Sequence, residues 1–342
     1  MSFNYIRELP SPDELRAELP LSPAARASRD DAVRHLQAII RGEEERLLLI
    51  IGPCSADNEE ALLVYTERLA ALQDRVRDRL MLVPRVYGSK PRTLSEGYLG
   101  MDNQPDPLAA PSSFEGLWAT RHMHLRVLGE TGLVPATEML YPGNFPYLDD
   151  CVGYVAVGAR SVENQQHRLT ASGLDLPVGM KNGTGGSVDV MFNAIHAAQA
   201  PHDFIYQGWE VSTEGNPFAH GVLRGGVDAH GRTVPNYYFE DLLQIASDYA
   251  ARGLANPTLI VDTNHANSGK RFEEQPRIAS DVLHSLRFEP LLRRTVKGFM
   301  VESYLEPGAQ PVDGGVFGRS ITDPCLGWPE TERMILDLAE MI

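Results

Sequence analysis

The chain reads as a (β/α)8 barrel, an α/β fold of eight parallel strands ringed by helices, with an N-terminal extension and a β-hairpin-like insertion near the sixth strand. Two observations predict it. Eight short β-branched or apolar runs alternate with helical patterns from about residue 46 to the end. Each run closes on polar and small residues, as barrel strands do where their C-terminal ends converge on one face. A doubly wound open sheet is the alternative, but it usually carries a glycine fingerprint after its first strand, and "IGPCSADN" is not one.

The strand runs, in order, are "RLLLIIGPC", "RLMLVPRVY", "GLVPATEML", "GYVAVGARS", "LPVGMKNGT", "HGVLRGG", "PTLIVDTNHANS" and "VKGFMVESYL"; "DFIYQG" is a further strand-like piece just before the sixth. Helical intervals include "NEEALLVYTERLAALQDRV", "SFEGLWATRHMHLRVLGETG", "SVDVMFNAIHAAQA", "NYYFEDLLQIASDYAARG", "PRIASDVLHSLRFEPLLRR" and "TERMILDLAEMI". Residues 46–342 thus form the barrel. Residues 1–45 stand outside it, and "DDAVRHLQAIIRGEEE" reads as an amphipathic helix that closes the barrel's bottom or reaches a neighbouring subunit.

Composition narrows the function. A formal net charge of -15 argues against a nucleic-acid footprint, because phosphate backbones select basic faces. No apolar run approaches the roughly 20 residues that cross a bilayer, and the acidic, Pro-rich N-terminus has no apolar signal core. The expectation is a cytoplasmic protein without nucleic-acid or membrane partners. Three cysteines, Cys54, Cys151 and Cys325, are too few for a disulfide scaffold and read as reduced.

The strand ends divide by chemistry. Arg85, Lys90, Arg92, Arg160, Lys181 and Arg224 are cations, and six of them in one partly dry pocket repel unless anions bind there. Arginine forks match carboxylate and phosphate oxygens, so the pocket suits one substrate with several anionic groups, or two such substrates. Cys54, His265, Glu302 and Asp323 are possible metal ligands. Their spacing matches no zinc-finger or short chelate pattern; only the ring closure of a barrel makes the first, seventh and eighth strands neighbours. A mixed sulfur, nitrogen and oxygen set suits a catalytic divalent ion such as Mn2+, Fe2+, Co2+ or Zn2+. Glu138 stands at a strand end with no assigned partner. His122 and His124, two apart on a helix, face different ways and do not read as joint ligands.

These residues, in this order, resemble the type I 3-deoxy-arabino-heptulosonate 7-phosphate (DAHP) synthases. "IGPCS", "RVYGSKPRT", "GARSVENQQHR", "PVGMKNGT", "LRGG", "DTNHANSGK", "MVES" and "GRSITDPCLGW" all look like that family's signatures. The resemblance implies a metal-dependent barrel that condenses phosphoenolpyruvate with erythrose 4-phosphate, in an aldol-like reaction that releases phosphate, as the first step of aromatic biosynthesis. It also implies Mn2+ first among the metals, and a homodimer or homotetramer.

By the same resemblance Cys54, His265, Glu302 and Asp323 hold the metal. Arg85 and Lys181 meet the phosphoenolpyruvate carboxylate, and Arg160, with Ala159 beside it, and Arg224 meet its phosphate. Arg92 and Thr93 hold the aldehyde's phosphate, and Asp323 lies beside the substrates. Lys90, Glu138, Lys181 and His265 form the catalytic set.

Departures from the pattern are Leu99 where the family usually carries Lys, Tyr304 where many members have His, and "DTNH", which with Tyr304 is similar to a Gram-positive-like subgroup. Near the positions that by this resemblance line the inhibitor site of the enteric enzymes, Asp175 and Tyr206 stand where a serine is expected, so feedback inhibition by Phe or Tyr is not expected. Two other readings are the same chemistry on a different aldehyde, for which Leu99 speaks, and a non-catalytic paralogue, against which the intact ligand set speaks.

Overall fold

The computed structural model describes residues 2–92 and 96–342. Eight parallel strands form one sheet: β1 (Leu47–Gly52), β2 (Leu80–Pro84), β3 (Ala136–Glu138), β4 (Tyr154–Val157), β5 (Val178–Lys181), β6 (Ala219–Leu223), β7 (Leu259–Asp262) and β8 (Val296–Glu302). β1 pairs with β2 and β8, and the ladder continues through β7, β6, β5 and β4 to β3. A parallel bridge between Arg85 and Ala136 closes the ring, with Val86 N–H donating to the Ala136 carbonyl at 2.8 Å. The seam of the barrel therefore runs through the backbone of a residue whose side chain belongs to the mouth.

Near-continuous apolar runs such as "LLLIIG" and "LMLVP" are buried at every position, as strands covered on both faces must be. Helices cap and start where their sequences dictate. Asn58 accepts from Ala61 N–H ahead of Glu59–Val76, and Ser112 accepts from Glu115 N–H ahead of Ser113–Thr131. The extension supplies two helices, Pro12–Glu18 and Pro23–Arg41. The second crosses the bottom of the barrel. Arg29 donates to the Val152 carbonyl before β4, Gln37 to that of Asp175 before β5, Arg41 lies over the Phe218 ring before β6, and Thr258 before β7 reaches the Ile40 carbonyl. Its apolar face, Val33, Leu36, Ile39 and Ile40, is buried there.

Three details depart from the sequence expectation. The third unit has no α-helix: "PGNFPY" forms a 3-10 turn, Pro142–Tyr147, because two prolines remove donors that an α-helix needs. A short helix, Gln165–Ser172, follows β4. The run "PRIASDVLHSLRFEPLLRR" splits into Gln275–Leu286 and Pro290–Thr295, broken at the Pro. The insertion near the sixth strand is a two-stranded antiparallel hairpin, His202–Tyr206 with Trp209–Thr213, so "DFIYQG" lies outside the barrel. No helix among the described residues is long and apolar enough to cross a membrane.

Candidate active site

At the C-terminal ends of the strands a cavity of about 500 Å³ is lined by Cys54, Arg85, Lys90, Arg92, Glu138, Ala159, Arg160, Lys181, Arg224, His265, Glu302 and Asp323. Every expected site residue among the described residues is there. Thr93 lies outside them.

The floor is an ionic lattice built on β2, β5, β7 and β8. Arg85 Nη2 donates to Glu302 Oε1 at 3.1 Å, and Lys181 Nζ to Asp262 Oδ2 at 3.1 Å, all four residues buried. The Arg85 guanidinium also lies 4.2 Å from the centre of the Tyr87 ring. Its Nε and Nη1, like Arg224 Nη1, are buried with no hydrogen-bond partner among the described residues. A buried donor without a partner costs free energy that only an arriving acceptor recovers. These orphaned guanidinium groups face a cavity that suits anions. Burial lowers the Arg224 pKa, with Arg160 adding to it, which makes a bound anion more favourable still.

Metal-ligand chemistry sits at one side of the floor. Cys54 Sγ and one oxygen each of Glu302 and Asp323 lie within 4.8 Å of one another. His265 Nε2 is 4.0 Å from Glu302 Oε1, and its Nδ1 faces Asp262 at 2.9 Å, which leaves Nε2 for the cluster. His265 has a left-handed backbone, φ 51°, in which non-glycine residues are rare, so the chain spends strain to aim this ring. Burial works to raise the Glu302 carboxyl, but His265 and Arg85 together hold it below the ordinary carboxylate value. Asp323 is likewise held low against its burial, by Lys270, His265 and Lys90. Burial pushes the Cys54 thiol up, with Glu302 adding to the effect and Lys90 opposing it. A crowded set of one thiol, one imidazole and two low-lying carboxylates fits a divalent cation, whose charge relieves their mutual repulsion.

A further side of the cavity is carried by the loop after β2. Lys90 is buried and donates to the Cys54 carbonyl and to Cys54 Sγ, the latter at 3.1 Å. Its burial lowers the pKa, but Cys54, Glu302 and Glu138 outweigh that and keep the ammonium charged. Arg92 Nε donates to the Tyr98 carbonyl at 2.8 Å. Glu138 closes the cavity above Gly158, where a Cβ would stand 2.3 Å from Glu138 Oε1; only glycine leaves the carboxylate its place. Arg160 is exposed at the rim, beside Ala159.

Several supporting residues were not singled out by sequence reasoning. Asp262 orients both Lys181 and His265. Asn264 Nδ2 donates to Glu302 Oε2 at 2.6 Å, and Gln275 clamps the Glu302 backbone from both sides, 2.9 Å to its N–H and 2.8 Å to its carbonyl. The signal for the first was present: Asp262 ends a strand three residues before His265. Gln275, far along the chain on a helix, had none. Leu99 is half-buried and does not line the cavity, and Tyr304 is buried with its hydroxyl 3.4 Å from the Asn58 carbonyl. His122 pairs with Glu59 and His124 with the Thr120 carbonyl, apart from each other and from the site.

Known proteins match along almost the whole chain. The family described as "DAHP synthetase I family" matches residues 24–336. A Trp-sensitive phospho-2-dehydro-3-deoxyheptonate aldolase of Enterobacter agglomerans is 39% identical, covering 98% of this chain and 96% of the relative. A Tyr-sensitive enzyme of the same name from Escherichia coli (strain K12) is 38% identical over 96% and 92%. The solved structure of the phospho-2-dehydro-3-deoxyheptonate aldolase from Francisella tularensis SCHU S4 superimposes with a TM-score of 0.91, at 30% identity, over 99% of this chain and 98% of that one. Both curated relatives are enterobacterial, so they do not support the Gram-positive-like subgroup. With the barrel, the cationic cavity and the ligand cluster already in place, these matches establish that the chain is an enzyme belonging to the DAHP synthetase I family.

Proposed function

We propose that this enzyme joins phosphoenolpyruvate to erythrose 4-phosphate, releasing inorganic phosphate and a seven-carbon keto acid phosphate, the first step of aromatic biosynthesis, in the cytoplasm. The observation that carries the reading is the meeting, in one cavity, of unsatisfied arginine donors with a cluster of Cys54, Glu302 and Asp323 and the nearby His265. A divalent ion held by Cys54, His265, Glu302 and Asp323, Mn2+ first among the choices, would supply Lewis-acid polarisation of the aldehyde carbonyl.

The protein's own groups do the rest. Arg85 and Lys181 grip the phosphoenolpyruvate carboxylate, and Arg160 and Arg224 its phosphate, while Arg92 and Thr93 hold the phosphate of the aldehyde. Fixing both substrates together removes much of the entropy cost of their encounter. Carbon 3 of phosphoenolpyruvate attacks the aldehyde carbon, a carbon–carbon bond forms, and Lys90 gives a proton to the developing alkoxide. Water then adds to the cationic carbon 2 and passes a proton to Glu138. The hemiketal phosphate then loses phosphate: its carbon–oxygen bond breaks, and the carbon 2 hydroxyl gives its proton to the leaving phosphate and becomes the keto oxygen.

Residues 1–45 form an extension that contributes to a homodimer or homotetramer. The exposed Phe3, Tyr5 and Ile6 on its arm, and Ile205 and Trp209 on the hairpin, support this reading. Insensitivity to Phe and Tyr rests on side-chain chemistry: the exposed Asp175 would repel an amino-acid carboxylate, and the half-buried Tyr206 ring would fill space a serine leaves open.

Phosphate release by chelator-stripped enzyme, assayed with and without added Mn2+ and with and without erythrose 4-phosphate, tests the function. Release that needs both is expected. Turnover with another aldehyde alone would replace the substrate assignment, and full activity in the stripped enzyme would remove the metal.

A further inference from the structure

The segment Gly97–Asn103 touches both cations assigned to the aldehyde side, and none of its own side chains has been given a role. Tyr98 offers its carbonyl to Arg92 Nε at 2.8 Å. Asp102 accepts a short hydrogen bond from the hydroxyl of Ser89, the residue before Lys90. Asp102 N–H also reaches the Gly88 carbonyl at 3.3 Å. The two stretches lie backbone against backbone. At Gly100, φ 95°, a Cβ would stand 2.3 Å from Gly88 O and 2.8 Å from Lys90 N. From the other side, the helix Ser113–Thr131 presses on Asp102: a Cβ at Gly116 would lie 2.2 Å from the Asp102 carbonyl oxygen.

We infer that Gly97–Asn103 is a clasp that positions Lys90 for proton transfer to the aldehyde oxygen and Arg92 for the aldehyde phosphate, and that the Asp102 carboxyl, through Ser89, is its lock. Asp102 is a positioning residue, not a catalytic one. The inference rests on the function proposed above for Lys90 and Arg92.

The lock is sensitive to charge. Asp102 is 6% exposed and pairs with no cation among the described residues. Its polar neighbours are Ser89 and the Asn103 amide. The titratable groups around it are Tyr98 on its own segment and, across a cavity of about 30 Å³ shared with Thr120 and Thr137, Tyr141, Tyr147 and Glu138. None of these supplies positive charge. Burial accordingly pushes the carboxyl up to about 7. In an opened clasp, where water reaches the carboxyl, it would return towards its ordinary value. A carboxyl raised in the closed state favours closure while protonated and loses that advantage as pH rises to its closed-state pKa. The clasp is therefore tight in mild acid and loosens towards neutrality, by about tenfold in its opening equilibrium between about pH 6 and about pH 8.

Two readouts decide this. Backbone hydrogen exchange of the 97–104 amides, compared at each pH between wild type and Asp102→Asn, cancels the intrinsic pH dependence of exchange. The wild-type-to-variant ratio should rise about tenfold over that interval. In parallel, the wild-type KM for erythrose 4-phosphate should rise relative to that of Asp102→Asn, with the KM for phosphoenolpyruvate unmoved. Ser89→Ala, which removes the donor, should exchange fast and show the high KM at both pH values. A pH-independent exchange ratio would overturn the lock, and a shifted ratio with no matching change in the aldehyde KM would overturn the positioning role. Wild-type enzyme that used no erythrose 4-phosphate would defeat the functional reading instead, and the exchange ratio would still decide the clasp.

Discussion

Cations gather at both ends of this barrel, in a chain whose net charge is -15. At the C-terminal end Arg85, Lys90, Lys181 and Arg224 surround a cavity of about 500 Å³; at the N-terminal end Arg46, Arg79, Arg287, Arg293, Arg294 and Lys297 surround one of about 440 Å³. Size and charge do not separate the two; satisfaction does. At the bottom, Arg46 is paired with Glu44 at 2.7 Å, Arg287 donates to the Met341 carbonyl, and Arg293 and Arg294 are exposed in the last turn of a helix, where the dipole favours them. At the top, guanidinium N–H groups of Arg85 and Arg224 are buried with no hydrogen-bond partner among the described residues. A cluster of basic residues marks a ligand site when its donors are dry and left over, and a solvated rim when they are wet or already used.

The sharpest way to break this comparison is to remove a carboxylate at the top. Glu302→Ala takes away both a proposed metal ligand and the buried partner of Arg85. Activity should fall by at least about a thousandfold, the scale set by losing metal assistance. Leaving Arg85 uncompensated should also lower stability by about 3–5 kcal/mol in urea unfolding. Arg294→Ala at the bottom should change stability by less than about 0.5 kcal/mol and leave turnover alone. Equal losses in the two variants would mean that both ends are built sites.

A milder substitution tests geometry rather than charge. Arg85→Lys keeps the cation but loses the planar fork and the stacking on Tyr87. The expected cost is about 2 kcal/mol, or roughly thirtyfold in kcat/KM for phosphoenolpyruvate. Arg287→Lys, whose contact is a single carbonyl, should be silent. A silent Arg85→Lys would leave point charge, not bidentate recognition, as the basis of carboxylate binding.

The top was legible in the sequence because a barrel collects strand ends wherever they fall in the chain, so Cys54 and Asp323, 269 positions apart, meet once the strands are counted. The ligand types carried the rest. Local geometry did not show. Nothing in "PRIASDVLHSL" announces that Gln275, just ahead of it, reaches back to clamp Glu302, since that contact depends on how a helix settles on the eighth strand. Nor did "MDNQ" announce a buried acid: Asp is usually exposed, and only backbone packing at Gly100 and Gly116 encloses Asp102. The missing third helix was readable in part, because Pro142 starts the turn and Pro146 lies inside it, but regular alternation of strands and helices masked it.

The smallest effect is expected at Lys297, the one bottom cation that is half-buried without an ion pair among the described residues. Burial lowers its pKa, and the distant pull of Glu45 does not make that up. A lysine that binds its proton less well in the folded state than in the unfolded one opposes folding below its folded pKa. That penalty disappears as pH rises to the unfolded value, so stability climbs with pH in the alkaline range. Lys297→Met removes the charge and keeps the stem. Because the ammonium is partly in water, screening limits the gain to less than about 1 kcal/mol at neutral pH, and the alkaline rise in stability should flatten. Turnover should not change. A variant less stable than wild type by more than that would make Glu45 a partner that outweighs the burial cost, and the bottom would then resemble the top in kind, differing only in how many of its donors are already spoken for.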